Sequence, residues 1–187
     1  MSEDAVPPAA RLLRDFVNTY EPQLDEESLT TSAALRDWLV EQRLVPVEAR
    51  VTDDDLDAAR AVREGLREVL LGHAGHDTDP DSLGRLRTVL ADFPVRVHLD
   101  ADGYRLVGAR SDAVGRAVGE LLDAVRRATE DGTWPRLKVC ARDSCRWAFY
   151  DASRNQVRRW CSMAGCGNAV KMRRAYAARR ARTRQEP

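Results

Sequence analysis

The chain has 187 residues, 43% of them hydrophobic and 6% aromatic, and its 30 basic and 30 acidic side chains cancel. That length allows one substantial core plus a small module, and no apolar run approaches the roughly eighteen residues that a membrane span needs. The even total conceals a polarity: residues 134–187 hold 14 Lys and Arg against 3 Asp and Glu, while residues 1–133 hold 16 against 27. A polyanion therefore suits the C-terminal part and is disfavoured by the N-terminal part, which offers the basic part an acidic surface to fold back on.

Met1 to Pro8 contains no basic region and no apolar run, so no signal peptide is evident and a cytoplasmic location is expected. Pro7 and Pro8 can open a helix in which Leu12, Leu13, Phe16 and Val17 share one face up to Asn18-Thr19-Tyr20. Asn18 is a candidate to hydrogen-bond a ligand, or else to cap its own helix or tie down the following loop. Ser32 is the expected N-cap of a second helix with Leu35, Trp38 and Leu39 on its apolar stripe, stopped by Pro46. Trp38 either lines a pocket or belongs to the core.

Thr52 caps the longest helix, whose first turn, Asp53-Asp54-Asp55, complements the helix dipole. Leu56, Ala59, Val62, Leu66, Val69 and Leu70 form its buried face. Arg60, Arg63 and Arg67 follow an adjacent face with Glu64 and Glu68 nearby, which reads as a solvated, salt-bridged surface. Arg63 and Arg67 are also candidates for binding an anionic effector. Gly72-His73-Ala74-Gly75-His76-Asp77 has a His-x2-His spacing but no third ligand, and reads as a mobile loop. A fourth helix near residues 81–91 follows, with Leu83, Leu86, Val89 and Leu90 inward.

The period then switches to alternation. Val95, Val97 and Leu99 interleave with Arg96, His98 and Asp100, and Ala101-Asp102-Gly103 turns the chain into Tyr104, Leu106 and Gly108. This predicts a two-stranded hairpin that needs other elements to cover it. A helix from about 112 to 130 closes the acidic unit, 1–133, and a short join leads to the basic unit, 134–187.

All four cysteines lie in the basic unit, as Cys140 with Cys145 and Cys161 with Cys166, two C-x4-C pairs fifteen residues apart. Four thiolates with no histidine among them fit a closed, tetrahedral Zn²⁺ site, the alternative being four buried thiols or two disulfides. Residues 147–150 and 157–160 read as two strands of a hairpin about the turn 151–155, bringing the pairs together. A helix from Cys166-Gly167-Asn168 to about residue 182 places the last ligand at a helix N-terminus, which favours thiolate. This order resembles a treble-clef zinc finger, so the fold class expected is α+β.

The residues Cys140, Cys145, Trp147-Ala148-Phe149-Tyr150-Asp151, Ser153-Arg154-Asn155, Arg159-Trp160-Cys161-Ser162-Met163 and Cys166-Gly167-Asn168 resemble the CGNR-type zinc finger. That finger typically follows an ABATE domain in proteins described as regulators of transcription under stress, and Phe16-Val17-Asn18-Thr19 resembles the opening motif of that domain. The fourth letter of the signature is Ala169 here. A nucleic-acid contact made by the family's Arg is then lost, or supplied by Lys171, Arg173 or Arg174.

Arg154, Arg158 and Arg159 crowd the expected hairpin, and Lys171, Arg173, Arg174, Arg179 and Arg180 stud the helix beyond it. In the basic unit Arg outnumbers Lys twelve to two, and Arg offers bidentate contacts to phosphate and to guanine. The expectation is a zinc-dependent, DNA-binding regulator of transcription, duplex favoured, with a small-molecule effector for the acidic domain and a homodimer to extend a short reading frame. An RNA-binding module and a protein-interaction adaptor remain open. Catalysis is not expected: a closed four-thiolate site leaves no position for water, and His73, His76 and His98 all lie outside the finger.

Overall fold

A computed structural model describes residues 6–101 and 103–183; within the last helix the side chains at 174, 178 and 181–183 are not among those described. The fold is α+β. Helix α1 (Pro8–Val17) leads through a short hairpin, β1 (Tyr20–Glu21) and β2 (Glu26–Glu27), to α2 (Ser32–Glu41), α3 (Asp53–His73) and α4 (Pro80–Ala91). The hairpin β3 (Val95–Asp100) and β4 (Gly103–Gly108) precedes α5 (Ala113–Glu130). Strands β5 (Leu137–Val139) and β6 (Ala148–Tyr150) and helix α6 (Asn168–Thr183) complete the chain.

The helices start where side chains satisfy their orphan amides. Thr52 and Asp55 form a reciprocal capping box at α3, and Asp79 and Asp112 cap α4 and α5. At α2 the cap is Thr31, whose side chain accepts from Ala34 N–H, one residue earlier than expected. Apolar stripes at three- and four-residue spacing then bury against one another. Leu13, Phe16 and Val17 of α1 meet Leu66 and Leu70 of α3 and Val114, Val118 and Leu121 of α5 in one core. Phe16 packs on Trp38, ring centroids 5.3 Å apart, so Trp38 belongs to this core rather than to a pocket.

That core crosses the boundary between the acidic and basic parts of the sequence. Leu137, Val139, Ala148 and Tyr150 of β5 and β6 are buried in it alongside α1, α3 and α5. Helix α5 closes on β4 so tightly that a Cβ on Gly119 would stand 2.2 Å from the Gly108 amide nitrogen. Only glycine at both positions permits that approach.

Burial is shallower than expected in two places. In α4 Leu86 is buried while Val89 and Leu90 are only partly buried against the core, because one side of that short helix rests on α3. The expected β3–β4 hairpin forms, with Val97 opposite Leu106, Leu99 opposite Tyr104 and Gly103 already paired with Asp100 rather than in the turn, but every residue of β3 is exposed. Its cover, α5, lies along β4 and leaves β3 outside. Asp102, expected in the turn, lies outside the described residues.

Candidate metal centre

The first cysteine loop hangs between two core strands. β5 pairs with β6 antiparallel, Val139 opposite Ala148, and the next rung is the Cys140 N–H donating to the Trp147 carbonyl at 2.9 Å. Residues 140–146 are therefore the loop of this hairpin, tightened by Cys145 N–H on the Arg142 carbonyl at 2.8 Å and by Arg146 in the left-handed region at φ 51°. The second pair enters from the other side. Ser162 accepts from Gly165 N–H at 3.2 Å, residues 163–167 make a wide helical turn, and Cys166 sits in it directly before α6.

The four Sγ atoms lie within 4.8 Å of one another, the one such ligand cluster among the described residues. Cys145 and Cys161 sulfurs are 3.7 Å apart and Cys161 and Cys166 sulfurs 3.8 Å. Four sulfurs about 2.3 Å from a tetrahedral ion stand about 3.8 Å from each other, so the spacing fits one ion. All four are free thiols, not disulfides. Cys140, Cys145 and Cys166 are buried, with Trp147 and Trp160 packed around them.

Crowded thiols cannot all ionise alone. Sulfur hydrogen bonds from Cys145 and then Cys161 push Cys140 down, while those same contacts with Cys140 and Cys145 push Cys161 up. A divalent cation among the four removes that conflict, because it favours thiolate at every position at once. The Arg142 guanidinium, 3.9 Å from Cys166 Sγ, adds positive charge from outside the cluster.

The expected second strand at 157–160 is absent, and β6 finds its partner on the opposite side, in β5. The reason is Asp151, wholly buried. Its Oδ1 accepts from Ser153 Oγ at 2.6 Å and Ser153 N–H at 3.0 Å; its Oδ2 accepts from Arg158 N–H at 3.0 Å and from Lys138 Nζ at 2.9 Å. Lys138, also buried, donates onward to the carbonyls of Gln156 and Arg158. A buried ion pair thus holds residues 151–158 as an ordered loop, and their backbone groups are spent on it. Burial works to raise the Asp151 pKa, but the bonds from Ser153, Lys138 and Arg158 outweigh it and hold the carboxyl at about 2. The turn letters of residues 151–155 pointed to this loop; that Lys138 would close it was not legible.

Beyond the cluster the basic residues divide. Arg154 and Arg159 are exposed, and Arg159 meets the His76 ring nitrogen at 3.0 Å. Arg158 is half-buried, its Nη2 donating to the Cys161 carbonyl at 2.7 Å with the guanidinium over the Phe149 ring, so it supports the cluster. In α6 Val170 is buried, whereas Lys171, Arg173, Arg179 and Arg180 are exposed, as are Met172 and Tyr176. Arg174 lies outside the described side chains.

The remaining ligand candidates are engaged in bonds within the fold. Both amide atoms of Asn18 are engaged by Ala148: Nδ2 donates to its carbonyl at 2.9 Å and Oδ1 accepts its N–H at 2.8 Å. Arg63 and Arg67 are each 4% exposed, not solvated as their spacing suggested. Arg63 makes a bidentate pair with Glu27 at 2.7 and 2.8 Å. Arg67 donates to the carbonyls of Val17, Tyr20 and Arg146 at 2.6, 2.9 and 2.8 Å and to Glu64 at 3.0 Å. His73 and His76 do not converge on a metal; His73 Nδ1 lies 2.8 Å from the Leu137 carbonyl and its ring meets Trp134 edge-on.

A cleft of about 460 Å³ lies where α1 meets β6, lined by Arg14, Asp15, Asn18, Trp147, Phe149 and Arg158 among others. Of the four candidate ligand residues, only Asn18 borders it. Among the described residues no helix is long and apolar enough to cross a membrane.

Comparison with known families gives two matches. The ABATE family, described as "Putative stress-induced transcription regulator", matches residues 10–145. The CGNR zinc finger matches residues 136–182. The segment common to both, 136–145, is strand β5 and the first cysteine loop, where the finger grows out of the core. No curated protein matches the chain.

Proposed function

Since this chain belongs to the ABATE family and ends in a CGNR zinc finger, we propose that it is a zinc-dependent regulator of transcription that binds duplex DNA through α6. The carrying observation is the placement of that helix. It begins two residues after a cysteine of the cluster, contains no acidic residue, and exposes Lys171, Arg173, Arg179 and Arg180. Sixteen residues make a rod of about 24 Å, the kind of element a major groove about 12 Å wide accepts between its phosphate walls.

Zn²⁺ fits the four thiolates and gives the site a net charge of about −2, which eases the crowding of Arg142, Arg146, Arg158 and Arg159 around it. Its part is to join the first cysteine loop, rooted in β5 and β6, to the turn that launches α6. The chain's own residues do the rest: Asp151 and Lys138 shape the intervening loop, and Arg158 ties it to Cys161.

Phe149 and Tyr150 are buried and Trp147 and Trp160 are half-buried around the cysteines, which leaves Tyr176 as the exposed ring on α6 and little aromatic surface for a run of unpaired bases, a balance that favours duplex. The cleft beside Asn18 joins α1 to the strand that carries the finger, which makes it the place for a small effector to act on the orientation of α6. A salt titration against duplex DNA, single-stranded DNA and RNA tests the reading. Duplex preference with a steep salt dependence is expected; preference for RNA or single strands supports the RNA-binding alternative, and no binding at low salt leaves the finger a structural staple of an adaptor.

A further inference from the structure

Strand β3 is an unpaired edge with an apolar face and a charge pattern that matches itself. The sheet has two strands, and the far edge of β4 is already occupied: Leu106 N–H donates to Asp123 Oδ1 of α5 at 2.8 Å. That bond also fixes which groups of β3 point outward. With Leu106 N–H directed away from β3, the Val97–Leu106 pair is not hydrogen-bonded, and the alternation along an antiparallel ladder assigns the inward groups to Arg96 and His98. Ala109 N–H donating to the Pro94 carbonyl at 2.8 Å keeps the same alternation. The N–H and C=O groups of Val95, Val97 and Leu99 therefore face outward, with no strand beside them among the described residues.

The side chains of these residues are exposed as well, Val97 at 66% and Leu99 at 76%, with Tyr104 at 47% opposite Leu99. Natural edges of this length are usually blunted by proline, charged side chains or a bulge; β3 has no proline, lysine or bulge, and its two charges, Arg96 and Asp100, are of opposite sign. The opposite face carries Arg96, His98 and Asp100.

We infer that β3 is a homodimer interface, joining β3 of a second copy antiparallel about a two-fold axis through His98. The axis must pass through a residue, because only alternate residues offer hydrogen bonds on the outer edge. Of the possible centres, Val97 would set Arg96 against His98 of the second copy, and Leu99 would set His98 against Asp100. Only His98 sets Arg96 against Asp100 of the second copy, twice over by symmetry. The same register places Val97 against Leu99 in both directions, gathering four exposed apolar side chains on one face with four backbone hydrogen bonds between the strands. A six-residue strand pairing is small beside the roughly 1,200–2,000 Å² of a stable interface, so the dimer is a micromolar one. It presents two fingers rather than one, yet depends on no residue of the finger.

The test is a charge exchange on the full, metal-loaded chain, read by sedimentation and native mass measurement. The wild type is expected to be a dimer at tens of micromolar. Arg96→Asp sets like charges against each other at both contacts, and so does Asp100→Arg; each is expected to weaken the dimer about tenfold or more. Mixed together, the two variants restore opposite charges at both contacts and are expected to form the heterodimer, which also demonstrates that each is folded. Val97→Pro, which removes an outward N–H and no bond to β4, is expected to give a monomer. A wild type that stays monomeric at hundreds of micromolar overturns the inference, whether or not the edge accepts a strand from another protein. So does a dimer indifferent to Arg96→Asp and Asp100→Arg, or a mixture in which the two variants fail to pair.

Discussion

Asn18 and Ala148, 130 positions apart, exchange two hydrogen bonds through the side-chain amide of one and the backbone of the other. The amide stands where a neighbouring strand would, so the outer edge of β6 at Ala148 is satisfied by the end of α1. Since β6 carries the far side of the first cysteine loop, this pair ties that loop's base to the end of α1.

Replacing Asn18 by Ala should leave a buried donor and acceptor of Ala148 unpaired, at a cost of about 1–3 kcal/mol in unfolding free energy. Asn18→Asp keeps the acceptor but loses the donor, and should not restore stability. Denaturant midpoints of the three proteins check this; equal midpoints would show that water serves Ala148 as well as the amide does.

Arg67 holds three carbonyls from three segments, including that of Arg146 at the left-handed turn of the cysteine loop. A lysine reaches with one point charge and cannot span this fork. Arg67→Lys is therefore expected to lower the melting temperature and to raise the rate at which a chelator strips the metal, whereas Arg85→Lys, at a position whose side chain is 67% exposed, should do neither.

Asp151→Asn strands the buried Lys138 ammonium and should cost about 3 kcal/mol at neutral pH. The sign with pH follows from the carboxyl being held at about 2, below its unfolded value of about 3.9. Its stabilisation is full above the unfolded value and is lost as pH falls through about 2. The gap between wild type and variant should thus shrink on acidification from pH 5 toward pH 2. Acid strips the thiolates of both proteins alike, so the difference isolates Asp151; a constant gap would contradict the assignment.

Chelation of the metal should free the second cysteine pair and α6 without melting β5 and β6, because Leu137, Val139 and Ala148 are buried in the main core. Hydrogen exchange is expected to accelerate at residues 159–170 and to stay slow at Leu137 and Val139. Exchange rising equally at all of them would mean that the ion holds the core itself, as it does in isolated fingers.

If α6 carries the DNA contacts, neutralising Lys171, Arg173, Arg179 and Arg180 together should flatten the log–log salt dependence of duplex binding by about 3 to 4 units. Neutralising Arg158 instead should disturb the finger, since its guanidinium is committed to the Cys161 carbonyl. A salt slope unchanged by the fourfold variant would place the interface elsewhere.

Much of this molecule was legible in its sequence. The helices declared themselves by apolar spacing and α3 also by Thr52 at its start, and the β3–β4 hairpin by strict alternation. The cysteine cluster followed from residue type and the two C-x4-C spacings, because four thiolates so placed suit one ion. All of these depend on groups within a few positions of one another or on intrinsic ligand chemistry. The partner of β6, the internal duties of Asn18, Arg63 and Arg67, and the exposure of β3 were decided by packing. β5 and β6 lie only 9 to 13 positions apart, but the three residues of β5 are too short a pattern to announce a strand. The long-range bonds of Asn18, Arg63 and Arg67 span 36 to 130 positions, the exposure of β3 depends on where α5 comes to rest, and no local periodicity encodes which distant backbone group a buried guanidinium or amide will meet.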